Sequence, residues 1–350
     1  MTTALRLAGL LLTAGAVAFS AEKGTVTVYM YSEYIDPAIP AQFEKDTGYK
    51  LNVQVYESQD EMVTKLRAGA GNQYDVLIAT DVIVTKMIKL GLVKALDQAK
   101  IPNAAGVDAK FKNPPFDPAN QYSWPYFYGT VGIAYDLAKA PKTPATWAWL
   151  LDEKQQFGNF VFMDEQRTML GSTLVAQGKD INSRNPMEIK TAADALIAAK
   201  KSKNCIGFDG GVGGLAKVTS GEAAAAVVYN GDAARAMGDD KAKVKIGFAV
   251  PKEGGNLWVD TMLISALAPN VDGAHALINY LLDPKIAAQN TNGMKYANAV
   301  TAATPLVEEA VRTNTAIYPD EATMKTLQVM GDVGKETRLY DEAWTAVKAQ

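Results

Sequence analysis

The sequence predicts an α/β protein built around a parallel, doubly wound sheet. Strand and helix patterns alternate along the N-terminal part of the chain, as they do in βαβ units. Residues 74–80, YDVLIAT, are almost continuously apolar, which is typical of a parallel strand buried on both faces. The chain has 350 residues, 48% of them hydrophobic, which is enough for a large core and for two domains.

In the N-terminal part, side-chain periodicity and end signals define the individual elements. Residues 25–31 alternate as a strand does, and Gly48 closes the helix that follows. Ser58, with Glu61 three residues later, forms a capping box at the start of the next helix. The predicted elements are strand 25–31, helix 37–48, strand 51–57, a helix from 58 to about 69, strand 74–80 and helix 82–91.

A second α/β region follows a stretch of prolines and aromatic residues at 113–129, which is too rigid and apolar for a flexible linker. The predicted elements beyond it are helix 186–201, a strand, loop and helix within 223–237, two strands around a PKEGG turn within 243–267, and a helix that Pro284 ends. We expect Asp272 to cap this last helix. His275 lies off the apolar face of that helix, so we expect it to be solvated.

The first twenty residues have the features of a signal peptide. Arg6 precedes the apolar run LAGLLLTAGAVAF, and Ala18-Phe19-Ser20 ends in small residues at the spacing that a signal peptidase reads. We therefore expect residues 1–20 to be removed and the mature protein to be periplasmic. A membrane anchor is the alternative, but the apolar run is shorter than the roughly 18 residues that a spanning helix needs.

Charge and composition argue against several classes of function. The formal net charge is −3, whereas a nucleic-acid-binding protein needs a basic patch, so no nucleic-acid partner is expected. Cys205 is the only cysteine and His275 the only histidine, which argues against a disulfide and against a transition-metal site. Neither residue lies in the sequence setting of a catalytic nucleophile, and Cys205 is expected to be a buried small hydrophobe. We expect no metal and no cofactor.

Aromatic and acidic residues recur where the predicted strands end. Ligands of open α/β sheets bind beyond the carboxyl ends of the strands, so these residues are candidates for a binding site. Each also has an ordinary explanation, since Thr80, Asp81 and Asp232 would cap helices, and a tryptophan in a strand usually packs in the core. The recurrence favours a site, and the candidates are Tyr31, Ser32, Glu33, Tyr34, Thr80, Asp81, Asp164, Glu165, Tyr229, Asp232, Trp258 and Asp260.

These side chains suit an aliphatic molecule that carries ammonium groups. A carboxylate accepts charge-assisted hydrogen bonds from an ammonium, each worth roughly 1.5–3 kcal/mol. Aromatic faces attract cations by about 0.5–2 kcal/mol and bury methylenes at about 0.8 kcal/mol each. A phosphate would instead need Gly-rich helix starts with Lys or Arg, and an amino acid would need an arginine for its carboxylate.

Several motifs resemble those of the spermidine/putrescine-binding proteins, the extracytoplasmic receptors of polyamine ABC transporters. The resemblance covers essentially the whole chain after residue 20. The motifs are, in order, YSEYIDP, FEKDTG, YDVLIAT, VTKMIKLGLVKALDQAKIPN, PFDPANQYSWPY, GTVGIAYD, VVYNGDAA, PKEGGNLWVD, ALINYLLDP, YPD and GDVG.

The resemblance implies a two-lobed periplasmic binding protein fold of type II. Each lobe would be a mostly parallel sheet flanked by helices, and a hinge would join the lobes. Chain crossings are expected near Phe127, Asp260 and Thr304, so that residues 21–127 and 261–304 form lobe 1, and residues 128–260 and 305–350 form lobe 2. The implied partners are a polyamine, putrescine or spermidine, and the permease of an ABC transporter. The protein itself is expected to be a monomer and not an enzyme.

The resemblance also assigns roles within the candidate site. It places the aromatic residue and the ammonium-binding acid of the WVD motif at Trp258 and Asp260, and adds Tyr296, in GMKYAN, as a site tyrosine. The departures from the family pattern are Tyr31 and Tyr229 where tryptophan is common, Val82 where an aromatic residue is frequent, Thr168 where a second acid is frequent, and Met330 where a polar side chain is frequent. Fewer polar groups around residues 165–168 favour a diamine over a triamine.

Three other functions stay open from the sequence. The first is a receptor for another cationic amine, such as agmatine. The second is an enzyme on the same two-lobed scaffold, with Cys205 as its nucleophile. The third is an iron receptor that uses clustered tyrosines.

Overall fold

The computed structural model of the chain describes residues 23–143, 145–238 and 243–350. The predicted signal peptide, residues 1–20, lies outside the described residues. Within the described ranges, no helix combines the length and the apolar character needed to cross a membrane.

The strands of the structure confirm most of the predicted ones, with ends that differ by one or two residues. Their bounds are β1 Thr25–Met30, β2 Lys50–Val55, β3 Val76–Thr80, β4 Val93–Lys94, β5 Ser123–Asp136, β6 Phe160–Met163, β7 Cys205–Asp209, β8 Ala225–Tyr229, β9 Ile246–Ala249, β10 Gly255–Ser265 and β11 Leu327–Val329.

The helices pack around the sheet that these strands form. Their bounds are α1 Ile39–Thr47, α2 Gln59–Arg67, α3 Asp81–Lys89, α4 Ala148–Leu151, α5 Gln166–Ala176, α6 Pro186–Lys200, α7 Gly211–Thr219, α8 Asn230–Met237, α9 Val271–Leu281, α10 Pro284–Met294, α11 Glu309–Arg312, α12 Glu321–Met324 and α13 Thr337–Ala349. Short 3-10 helices connect several of them.

The strands form one sheet whose two halves repeat the same arrangement. The order is β2-β1-β3-β10-β5-β8-β6-β7. In the first half β1, β2 and β3 are parallel and β10 joins them antiparallel; in the second half β6, β7 and β8 are parallel and β5 joins them antiparallel. The mostly parallel sheet flanked by helices is therefore confirmed for each half.

The two long strands β5 and β10 connect the halves. They pair antiparallel from Leu257 opposite Thr130 to Leu263 opposite Ser123, and the register shifts between Asp260 and Thr261. Asp260 lies opposite Phe127, so two of the predicted crossings are neighbours in the sheet. The lobe boundaries themselves, at residues 127, 260 and 304, stay a prediction.

Helix α9 corrects two expectations drawn from the sequence. Its N-cap is Asn270, whose side chain accepts a hydrogen bond from the Gly273 N–H at 2.9 Å, while Asp272 is the second residue of the helix and pairs with Lys100. His275 is buried, not solvated: its Nε2 accepts the Asp97 N–H at 2.9 Å. Its Nδ1 therefore donates to the Val271 carbonyl at 2.7 Å. The ring therefore links the loop at Asp97 to α9. The periodicity of apolar residues along the helix does not reveal such a contact.

A buried carboxylate at the start of β3 joins three elements. Asp75 accepts the Thr27 N–H of β1 at 2.8 Å and the Asn270 N–H at the beginning of α9 at 2.7 Å. Burial raises its pKa, and the two hydrogen bonds oppose that shift. Because buried N–H groups need acceptors, Asp75 fixes the position of α9 against the sheet.

We expect Asp75→Ala to lower the free energy of unfolding by about 2 kcal/mol, because two half-buried backbone N–H groups would lose their charged acceptor. The matched control is Asp194→Ala on α6, which removes an exposed carboxylate paired with Lys190 and should change stability by less than about 0.5 kcal/mol. Urea unfolding of both variants measures the difference. Equal effects of the two substitutions would contradict this role.

Candidate ligand-binding site

The carboxylate of Asp260, in the middle of β10, is buried between two hydroxyl donors. The residue is only 4% exposed. Tyr34 Oη donates to its Oδ2 at 2.5 Å, and Thr80 Oγ1 donates to its Oδ1 at 2.7 Å. Within the part of the chain that the structure describes, no basic side chain pairs with it. Burial raises the pKa of Asp260 to about 6, against the two hydrogen bonds, which lower it.

Sheet pairing brings these donors to Asp260. Thr80 ends β3 and lies directly opposite Asp260 in the antiparallel β3–β10 ladder. The Thr80 side chain does not cap α3; instead, its hydroxyl also contacts Gln59 Nε2 at 3.0 Å and Tyr31 Oη at 3.2 Å. Tyr34 lies in the turn after β1, and its backbone carbonyl accepts the hydroxyl of Tyr126 at 2.7 Å. A network of hydroxyl groups thus surrounds one carboxylate.

A continuous wall of rings extends from this carboxylate. The ring centroids of Tyr31 and Tyr34 are 5.5 Å apart, those of Tyr34 and Tyr296 are also 5.5 Å apart, and those of Tyr296 and Trp258 are 5.3 Å apart. Tyr229 continues the wall, 6.2 Å from Trp258. All four pairs are edge-on, the geometry that the ring quadrupole favours. The strand-end candidates from both halves of the sheet therefore meet here.

A glycine of β5 makes room for this wall. A Cβ at Gly129 would lie 2.3 Å from Trp258 Cζ2 and 2.2 Å from Asn230 Oδ1, closer than real contacts allow. Asn230 Oδ1 accepts the Thr130 N–H at 3.0 Å, and its Nδ2 donates to the Ala316 carbonyl at 2.8 Å. Asn230 therefore holds the start of α8 against β5, next to Tyr229.

Asp232 is the second acid that contacts the ring wall. It lies in the first turn of α8, forms an ion pair with Arg235, and its Oδ1 is 3.4 Å from Tyr296 Oη. Burial raises its pKa, and the charge of Arg235 acts in the opposite direction.

Two other predicted acids accept hydrogen bonds from backbone donors. Asp81 Oδ1 accepts the Val82 N–H at 2.7 Å, and its Oδ2 accepts the Val259 N–H at 3.1 Å. Burial, followed by the charge of Asp260, raises the Asp81 pKa well above its usual value. Glu165 caps α5 by accepting the Thr168 N–H at 2.6 Å. Both side chains hold helix N-termini in place beside the site.

The structure does not bring three predicted residues into the cluster. Asp164 is exposed and pairs with Lys348 of α13 at 2.9 Å. Ser32 and Glu33 are exposed in the turn after β1, where Glu33 has a φ of 51°. The sequence motif places all three next to contacting residues, but consecutive side chains on a turn point in different directions.

Sequence reasoning missed several residues that the site contains. Tyr56 directly follows β2; its ring lies 4.7 Å from that of Tyr31, and its hydroxyl donates to the Ile78 carbonyl at 2.7 Å. The strand-end rule also points to Tyr56, because Tyr56 is the first residue after β2. Arg235 is three residues after Asp232, a spacing at which helical side chains meet. Gln59 carries no comparable signal.

The comparisons with known proteins identify the family. Residues 38–319 match the family model described as bacterial extracellular solute-binding protein. This chain belongs to the bacterial extracellular solute-binding proteins. It is 32% identical over 346 residues to the spermidine/putrescine-binding periplasmic protein of Escherichia coli. That alignment covers 99% of this chain and 97% of the relative. It is 31% identical over 362 residues to the putrescine-binding periplasmic protein SpuD of Pseudomonas aeruginosa, covering 99% and 97% respectively.

Solved structures of such solute-binding proteins have the same fold. The spermidine/putrescine ABC transporter substrate-binding protein PotD of Streptococcus pneumoniae superposes with a TM-score of 0.84 at 29% identity, covering 93% of this chain and 99% of that one. The lipoprotein Tp0655 of Treponema pallidum gives 0.83 at 25% identity, covering 93% and 100%. The predicted family resemblance and the two-lobed type II fold are confirmed. The individual ligand contacts stay predictions.

The raised pKa of Asp260 predicts how its replacement changes stability with pH. The folded-state pKa of about 6 exceeds the ordinary value of 3.8, so folding disfavours the ionised group and this cost is present above pH 6 and absent below about pH 4. We expect Asp260→Asn to be stabilised relative to the unsubstituted protein by an amount that grows from pH 4 to pH 7, up to about 3 kcal/mol. Ligand-free denaturant titrations across this range measure it, and a difference that is independent of pH would refute the assignment.

Proposed function

We propose that this chain is a periplasmic receptor that binds a polyamine, putrescine or spermidine, between its two lobes and delivers it to an ABC transporter. The relatives with this fold and 31–32% identity are named as spermidine/putrescine-binding and putrescine-binding periplasmic proteins. The proposal includes that the receptor acts as a monomer and catalyses no reaction.

The observation that carries the proposal is the unpaired charge of Asp260. A buried ionised carboxylate that is stabilised by hydrogen bonds from hydroxyl groups, without a counter-charge in the described residues, is unfavourable, and a bound ammonium would supply that counter-charge. Tyr34, which donates to Asp260, also belongs to the ring wall, so the same cation would lie near aromatic faces. The wall then offers apolar surface to the methylenes of the ligand.

The position of these groups in the sheet supports a closing mechanism. Tyr34 and Thr80 come from the β1–β3 half, Tyr229 and Asp232 come from the β6–β8 half, and Asp260 lies on the strand that both halves share. A ligand that touches both sides stabilises only the conformation in which they meet. Removal of water at closure strengthens each of the charged contacts.

The other functions fit these residues less well. An amino-acid ligand needs an arginine for its carboxylate, but Arg167 donates to Asn182 and to the Gly331 carbonyl, and Arg235 pairs with Asp232. A ferric site usually adds His, Asp or Glu ligands to its tyrosinates, and no cluster of three or more such side chains that could hold a metal ion is found in the described residues. Cys205 lies on β7, at the far edge of the sheet, and burial raises the pKa of its thiol, which lowers its nucleophilicity at neutral pH.

We expect Asp260→Asn to weaken the binding of putrescine and spermidine at least tenfold, because the buried ammonium would lose its counter-charge. Isothermal titration calorimetry on the mature chain measures the change. Asp164→Asn is the matched control: it removes an exposed carboxylate from the same sequence-predicted set and should leave the affinity unaltered. Unchanged affinity in Asp260→Asn would refute the proposed contact. Tighter binding of agmatine than of either polyamine would instead favour a receptor for a different amine.

A further inference from the structure

The two acids that contact the ring wall differ in how their charge is neutralised. In the described ranges, the side-chain partners of Asp260 are hydroxyl groups, whereas Asp232 has a cation of its own chain beside it. We propose that Arg235 is a specificity-determining residue, a tethered cation that occupies the place between Asp232 and Tyr296 that a second ammonium of the ligand would take. This inference rests on the proposed function.

The contacts of Arg235 are those that an ammonium ligand would make. Its guanidinium pairs with Asp232, and its central carbon lies 5.6 Å from the centroid of the Tyr296 ring. Nη1 also donates to the Met294 carbonyl at 3.1 Å. One arginine thus uses a carboxylate, a ring face and a carbonyl, the three kinds of group that bind organic cations.

The geometry around the pair keeps the acid and the ring together. The Asp232 side chain is 9% exposed and that of Arg235 is 47% exposed, so the arginine covers the acid from the solvent side. A Cβ at Gly231 would lie 2.1 Å from Tyr296 Cε1, which shows how closely the start of α8 approaches the tyrosine ring. Asp232 and Tyr296 therefore lie in contact beside the start of α8, and Arg235 is the exposed member of this group of three side chains.

Tyr296 connects this place to the Asp260 end. Its ring is 5.5 Å from that of Tyr34, whose hydroxyl donates to Asp260. An α,ω-diamine that puts one ammonium on Asp260 must displace Arg235, or compete with it, to put the other on Asp232. A monoamine makes only the first contact. Arg235 therefore selects against the second ammonium without touching the first.

The test compares putrescine with n-butylamine, the same chain without one ammonium. We expect Arg235→Met, which keeps an unbranched side chain and removes the charge, to raise the calorimetric affinity for putrescine about fivefold, the factor that breaking a half-exposed ion pair would otherwise cost. The affinity for n-butylamine, measured by competition against putrescine, should rise less than twofold. Arg235→Lys keeps a positive charge beside Asp232, so its gain for putrescine should also stay below twofold.

Two further variants test whether the freed Asp232 carboxylate causes the rise in putrescine affinity. Asp232→Asn added to Arg235→Met should abolish the increase if the freed carboxylate causes it. Arg338→Met removes an exposed arginine paired with Glu342 on α13 and should have no effect. An unchanged or lower putrescine affinity in Arg235→Met, or an equal gain for both amines, would overturn the inference while leaving amine binding intact. Failure of the unsubstituted protein to bind any amine would overturn the proposed function as well.

Discussion

The candidate binding site depends on one buried carboxylate that has no positive partner among the described residues. Asp260 is placed by the pairing of β10 with β3 and β5, and its oxygens are held by the hydroxyls of Tyr34 and Thr80. The protein could neutralise this charge internally, as it does at Asp232, but in the described residues it does not. Burial without a counter-ion is unfavourable, and the raised pKa expresses that cost. A bound cation would supply the counter-charge and remove part of that cost.

The acids around Asp260 already have partners within the protein, so Asp260 is the acid that is best able to bind a ligand cation. Asp81 accepts backbone N–H groups from α3 and β10, and Glu165 caps α5. Asp232 is shielded by Arg235. Counting carboxylates near the site would therefore overestimate the cation charge it accepts. Hydrogen-bond partners, not proximity, separate an acid that is free to bind from one that holds the fold together.

Much of this arrangement follows from the sequence because strand ends of a parallel sheet converge. That rule brings Tyr31, Tyr34 and Thr80 together. Asp260 is not at a strand end; it lies in the middle of β10 and joins them because β10 pairs antiparallel with β3, opposite Thr80. It fails where direction, not position, decides: Asp81 turns to backbone donors, and Asp164 pairs with Lys348 on the surface. The prolines and aromatic residues of 113–129 concealed the start of the long strand β5. Pro125 lies within that strand at the register shift opposite Thr261, where a missing N–H is tolerated. The role of His275 depends on a loop distant in sequence, which periodicity does not detect.

Proton release on ligand binding tests the central claim most directly. If an ammonium binds ionised Asp260, the fraction of receptors that carry a proton there must lose it. Calorimetric titration of putrescine at pH 5.5, in two buffers with different ionisation enthalpies, measures the number of protons exchanged. A folded-state pKa of about 6 predicts the release of between about a half and one proton per ligand, declining toward zero at pH 8. Binding without proton release at pH 5.5 would show that the ligand cation does not depend on this carboxylate.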